Sequence, residues 1–132
     1  MWIYKGEYLE EIPDGYVGMV YMITNVANNK KYIGKKIFHF TKTKQVKGKK
    51  KKSKVESDWQ TYYGSNKELN EHVDIFGTNN FKREILYLCV NKSQMSYLEL
   101  REQIDRRVLE TEEYYNQWIS AKVHKTKHLT NL

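Results

Sequence analysis

The stretch Gly18-Met19-Val20-Tyr21-Met22-Ile23-Thr24-Asn25-Val26-Ala27-Asn28-Asn29-Lys30-Lys31-Tyr32-Ile33-Gly34-Lys35-Lys36 decides the fold. Its two apolar ends flank a polar turn, so it reads as strand, turn and strand. Two turn positions are open. A turn centred on Val26-Ala27 sets Tyr21 opposite Tyr32, and one centred on Asn28-Asn29 sets Tyr21 opposite Lys36. Side chains alternate along a strand, so either even-length turn puts Tyr21, Tyr32, Gly34 and Lys36 on one face and turns Lys35 to the other. Gly34 leaves room on the shared face for something large.

Working outward, Tyr16 to Thr24 alternates Met19, Tyr21 and Ile23 against Val20 and Met22, a strand apolar on both sides and hence central or covered. Lys30 to Phe38 is its partner. The first dozen residues form a short leader or edge element that ends in a turn at Pro13-Asp14-Gly15. Downstream, Ser65 with Glu68 makes a capping box for a helix whose buried stripe is Leu69, Val73 and Phe76, and Gly77 ends it. Phe81 to Val90 is a third strand by its apolar density and β-formers. Asn91 or Ser93 caps a second helix running to about Glu110, with one apolar stripe of Tyr97, Leu100, Ile104 and Val108 and another of Met95, Leu98 and Leu109. Tyr114-Tyr115-Asn116 opens a closing segment. This order, β-β-α-β-α, predicts an α+β fold with a small three-stranded antiparallel sheet flanked by helices.

The chain of 132 residues suits one domain spanning 1–132, too small to add a separate targeting module. Aromatics reach 14%, with eleven tyrosines, which favours an ordered fold over a disordered one. No apolar run has membrane length and the first residues do not open a signal peptide, so a soluble, cytoplasmic protein is expected, in a host cell's cytoplasm if phage-encoded. The single cysteine, Cys89, excludes an internal disulfide and a cysteine-based zinc site. Charge is uneven. Eight lysines and no acidic residue lie between Lys42 and Lys54, so this segment carries +8 against a chain total of +7 and the remainder is close to neutral. The segment reads as a flexible lysine-rich insertion at about residues 40–56. A solvated loop is the plain reading; contact with a polyanion through Lys42, Lys44, Lys49, Lys50, Lys51 and Lys52 is the favoured one, supplying affinity and salt sensitivity without reading bases.

Met19-Val20-Tyr21 and Tyr32-Ile33-Gly34, with the elements that follow them, resemble the GIY-YIG nuclease superfamily. The combination of Lys31-Tyr32-Ile33-Gly34-Lys35-Lys36, a lysine-rich insert, Ser57-Asp58-Trp59 leading to Tyr63-Gly64-Ser65, and a terminal Tyr-Tyr-Asn is similar to the homing-type endonucleases of tailed phages. The resemblance implies a metal-dependent DNA endonuclease that hydrolyses phosphodiester bonds with Mg²⁺ or Mn²⁺, by nicking or by double-strand cleavage, as a monomer or transient dimer. It implies Tyr21 as general base or water-orienting group, Tyr32 as a phosphate or water ligand, and Glu99 as the single metal-binding carboxylate, with Glu102 its rival. Asn116 is similar to the asparagine closing the family's site. The arginine that the family carries on the helix after its second motif is absent here. Lys35 or Lys36 then takes over its charge, Lys36 also favouring the Tyr21 phenolate, and Arg83 is an outside candidate. The alternatives are a nucleic-acid-binding module of the same fold that cuts nothing, and an RNA-directed protein. His39, His72, His124 and His128 have no metal-ligand spacing and suit surface or DNA contact; Trp59, Tyr62 and Tyr63 suit packing.

Overall fold

The computed structural model describes residues 1–130 and 132. Strand β3 (Gly18–Asn25) and strand β4 (Lys30–Ile37) form the expected antiparallel hairpin, and β7 (Phe81–Cys89) is antiparallel to β3 on its other side. The sheet is larger than three strands. Strand β1 (Trp2–Tyr4) pairs in parallel with β7 and strand β2 (Glu7–Leu9) pairs with β1, giving a five-stranded mixed sheet of order β2-β1-β7-β3-β4. What recruits β1 is an anchor distant in sequence: Trp2 is fully buried, and its indole N–H donates to the Trp59 carbonyl at 2.6 Å. A three-residue strand carries too little periodicity to announce such a partner.

The two faces of the central strand feed two cores. Met19, Tyr21 and Ile23 pack on one side with Trp2, Phe38, Trp59, Leu69, Val73, Ile85 and Tyr115. Val20 packs on the other with Ile33, Cys89, Met95, Leu98 and Val108. Helix α1 (Lys67–Phe76) covers the first face and helix α2 (Lys92–Asp105) the second. Each begins at an asparagine. Asn66 Oδ1 accepts the Leu69 N–H at 2.8 Å and Asn91 Oδ1 accepts the Gln94 N–H at 2.8 Å. The Ser65–Glu68 capping box is therefore not formed, and Glu68 instead meets Lys30 at 3.0 Å. Gly77, at φ 85°, ends α1 as expected. Helix α2 stops earlier than expected, and neither of the two expected apolar stripes is buried whole: Met95 and Leu98 face the sheet and Val108, beyond the helix end, is buried, while Tyr97, Ile104 and Leu109 are exposed. Phe76 is also exposed, so α1 buries Leu69 and Val73 alone.

The insertion is not a flexible loop. Strands β5 (His39–Val46) and β6 (Lys49–Glu56) form a separate two-stranded antiparallel ribbon, turned at Lys47 (φ 50°) and Gly48 (φ 74°). Two consecutive positive φ values make the two-residue turn whose twist suits a hairpin. Thr41 and Thr43 alternate with Lys42 and Lys44 along β5, a strand signal hidden by the charge.

Candidate active site

The hairpin settles on neither expected register. Tyr21 pairs with Gly34 and Ile23 with Tyr32, because the turn centres on Ala27-Asn28 and is closed by the Asn29 N–H on the Asn25 carbonyl at 2.7 Å. Parity is unchanged. Tyr21 and Tyr32 still share a face, their ring centroids 6.3 Å apart. A bulge at Leu86 in β7, between the partners of Val20 and Tyr21, adjusts the strand at this tyrosine.

Gly34 is the window through which the site forms. A Cβ built there would collide with the Tyr21 hydroxyl and come within 2.9 Å of Tyr32 Cε2. Because β4 is the sheet's edge and residue 34 has no side chain, both phenols reach the edge, where α2 passes on the other side. A cavity of about 380 Å³ opens there, lined by Tyr21, Tyr32, Lys35, Ser65, Asn66, Glu99, Gln103, Asn116 and the chain from Gln117 to Ser120. Helical spacing of four residues brings Glu99 and Gln103 to the same wall. Glu102 is turned elsewhere: it accepts the Tyr87 hydroxyl at 2.8 Å and pairs with Arg106 at 2.9 Å. Between the two acids left open by the sequence, Glu99 alone lines the cavity.

Lys35 does point away from the tyrosine face, as alternation requires, and this carries it to α2. Its ammonium donates to Ser96 Oγ at 2.8 Å and lies 3.8 Å from Glu99. Burial raises the Glu99 carboxyl above its ordinary range while Lys35 acts in the opposite sense. Burial also drives the Tyr21 phenol well above its usual value, with Tyr32, Tyr62 and Glu99 adding to the rise. Tyr32 rises less, against a hydrogen bond with Ser65 at 3.2 Å that lowers it. Lys36 does not counter this. Its ammonium sits on Asp58 at 2.7 Å and 4.0 Å above the Tyr62 ring, outside the cavity lining, so the expected stabilisation of a Tyr21 phenolate is not built.

Asn116 has a structural task at the site. Its Oδ1 accepts the Ile33 N–H at 3.1 Å and its Nδ2 donates to the Ile33 carbonyl at 2.9 Å, so one amide pairs both backbone groups that a buried edge-strand residue turns away from the sheet. Neighbouring backbone bonds, Lys31 to Glu113 at 2.9 Å and Tyr115 to Lys31 at 2.7 Å, hold the same segment along β4. Arg83 is excluded from the site: it is buried, donates to the Gln60 and Tyr62 carbonyls and stacks on Trp2 and Tyr63. His72 lies against Tyr115, its Nδ1 2.8 Å from the hydroxyl. Trp59 is core, as expected. Lys42, Lys44, Lys49, Lys50, Lys51 and Lys52 lie on the β5–β6 ribbon and not in the cavity lining. Sequence reasoning missed Gln103 and Trp118. The indole of Trp118 is 71% exposed at the cavity wall, whereas Trp2 and Trp59 are buried.

The sequence profile of the family described as "Putative endonuclease segE, GIY-YIG domain" matches residues 2–119. The chain belongs to this family. No match emerges among curated proteins or among solved structures. In this GIY-YIG chain the match takes in β1 and β2 and the cavity wall up to Ile119, so the added strands and the closing segment lie within the family domain. No helix among the described residues is long and apolar enough to cross a membrane. Among those residues no cluster of three or more His, Cys, Asp or Glu side chains could hold a metal ion. The donor set nonetheless fits a hard divalent cation shared with substrate, since magnesium commonly keeps one carboxylate, several waters and phosphate oxygens.

Proposed function

We propose that the chain is a metal-dependent DNA endonuclease that hydrolyses phosphodiester bonds in the cavity between β4 and α2, acting in the cytoplasm, of a host cell where a phage carries it. The observation that carries this reading is the convergence of Tyr21, Tyr32, Lys35 and Glu99 on one cavity from three separate elements. Membership of an endonuclease family supports the reaction class.

Water adds to phosphorus, the ester P–O bond breaks, and the proton lost by water is matched by one gained by the departing oxygen. Tyr21, held neutral by burial, orients the attacking water through its hydroxyl and does not serve as a strong base. Tyr32, backed by Ser65, hydrogen-bonds the phosphate. Lys35 places a point charge beside the phosphoryl oxygens in the role the family gives to arginine, and Lys36 acts at one remove by fixing Asp58 and Tyr62. Glu99 would hold Mg²⁺ or Mn²⁺, which when bound supplies charge neutralisation on the phosphoryl and leaving oxygens. Trp118 offers an aromatic face to a nucleobase at the rim. A single site of this kind among the described residues suits nicking by a monomer, and a transient dimer would cut both strands.

Incubation with supercoiled plasmid, with and without magnesium, tests the reading. Relaxed circles that appear only with magnesium support it; an untouched plasmid under both conditions, with binding intact, turns the chain into a DNA-binding module of the same fold.

A further inference from the structure

Among the described residues the β5–β6 ribbon has no partner that explains its charge. It is isolated from the five-stranded sheet, and such a two-stranded unit is marginal in water by itself. Lys44 stands directly opposite Lys51, a pairing that opposes folding, and among the described residues no acidic side chain forms an ion pair with any lysine from Lys42 to Lys54. Yet its eight-pair register is regular from His39↔Glu56 to Val46↔Lys49. A regular ribbon that repels itself is complementary to a surface of fixed negative charge.

The register also sorts its side chains. One face carries Phe40 and Val55 at its base, where Lys36 lies 5.0 Å above the Phe40 ring, and then Lys42, Lys44, Lys49 and Lys51. The other presents Thr43 and Gln45 opposite Lys52 and Lys50, hydroxyl, amide and ammonium groups with no large apolar side chain. These are donors and acceptors of the kinds that read base edges, whereas the first face beyond its base is mostly point charge, with Ser53 opposite Lys42 and Val46 opposite Lys49.

We propose that the β5–β6 ribbon enters the major groove of B-form duplex DNA, with Thr43, Gln45, Lys50 and Lys52 toward the base edges and Lys42, Lys44, Lys49 and Lys51 reaching the flanking phosphates. Eight residues per strand extend roughly 26 Å, enough to follow about seven or eight base pairs, and the B-form major groove admits a two-stranded ribbon. The major groove of an A-form RNA helix is too deep and narrow to be read in this way. The ribbon therefore makes the protein select duplex DNA over duplex RNA, and it contributes sequence choice as well as affinity. This rests on the nuclease reading above, since it names how that site's substrate is held.

The test measures binding of the full chain, without divalent cation, to one mixed-sequence duplex in DNA and RNA form. We expect the DNA duplex to bind at least about tenfold more tightly, guanine N7 methylation to weaken binding, and the minor-groove ligand distamycin not to displace the protein. A variant with residues 42–53 replaced by a short glycine–asparagine turn should lose the N7 sensitivity and the DNA preference while still relaxing plasmid with magnesium at higher protein concentration. Lys44→Ala with Lys51→Ala should lower the slope of log affinity against log salt by up to about 1.8 and keep the N7 sensitivity. Equal binding of the two duplexes, displacement by distamycin, or unchanged N7 sensitivity in the trimmed variant overturns the groove assignment and leaves the nuclease reading standing. A full chain that neither binds duplex nor relaxes plasmid overturns both.

Discussion

Tyr21 and Gly34 face each other across the β3–β4 ladder, and the phenol occupies the space that any side chain at residue 34 would need. The hairpin thus brings a buried tyrosine to the sheet edge by leaving out its neighbour's Cβ. Gly34→Ala should destabilise the protein by about 1–3 kcal/mol through overpacking and abolish plasmid relaxation by displacing both phenols. Thermal denaturation and cleavage assays would check it; a variant as stable and as active as the parent removes the window from the mechanism.

On the proposed mechanism, Glu99 serves catalysis and Glu102 stability. Glu99→Gln should lose magnesium-dependent cleavage while binding DNA as before, because the carboxylate lines the cavity and its link to β4 is one long ion pair, to Lys35 at 3.8 Å. Glu102→Gln should keep cleavage and lose about 1–3 kcal/mol of stability, since it weakens the Arg106 pair and the bond from Tyr87. The reverse pattern, with Glu102→Gln inactive and Glu99→Gln active, would exchange the two assignments.

Asn116→Ala leaves the buried Ile33 N–H without its acceptor, while the Ile33 carbonyl keeps Gln103 at 3.2 Å. A loss of about 1–3 kcal/mol is expected in denaturant titration, with faster amide exchange at Ile33. Exchange at Ile33 that matches the parent would show that the edge is held by the Lys31 backbone bonds alone.

Alkaline pH should unfold the protein from two sites at once. Burial pushes the Cys89 thiol from 9.0 up to about 12, and the Tyr21 phenol also stands well above 10.0. Both groups are raised in the folded state, so the unfolded chain releases their protons first. Their stabilising contribution is full below the unfolded values and is lost as pH rises, between about 9 and 12 for the thiol and from about 10 upward for the phenol. Denaturation midpoints across this window would fall in the parent and fall less in Cys89→Ala. A flat profile in the parent contradicts the burial of both groups.

Local pattern was enough to place β3, β4, β7, both helices and the C-cap at Gly77, because strand alternation, helical spacing and glycine's access to positive φ are properties of near neighbours. It also put Tyr21 and Tyr32 on one face whichever turn formed, since parity survives a shift of two residues. Lysine density concealed the strands of the β5–β6 ribbon, and a three-residue segment gave no hint that Trp2 would anchor β1 beside β7.

The amino-acid order by itself determined the family domain, the tyrosine face and an acidic residue on the second helix. Only the tertiary structure decided which acid lines the cavity, by turning Glu102 onto Tyr87 and Arg106 and bringing Glu99 to the wall. It alone put Lys35 beside that acid and Lys36 on Asp58. Periodicity fixes which side of its own element a residue faces. What waits there depends on how the sheet edge, the helix and the closing segment pack, and that is set by burial between residues far apart in the chain.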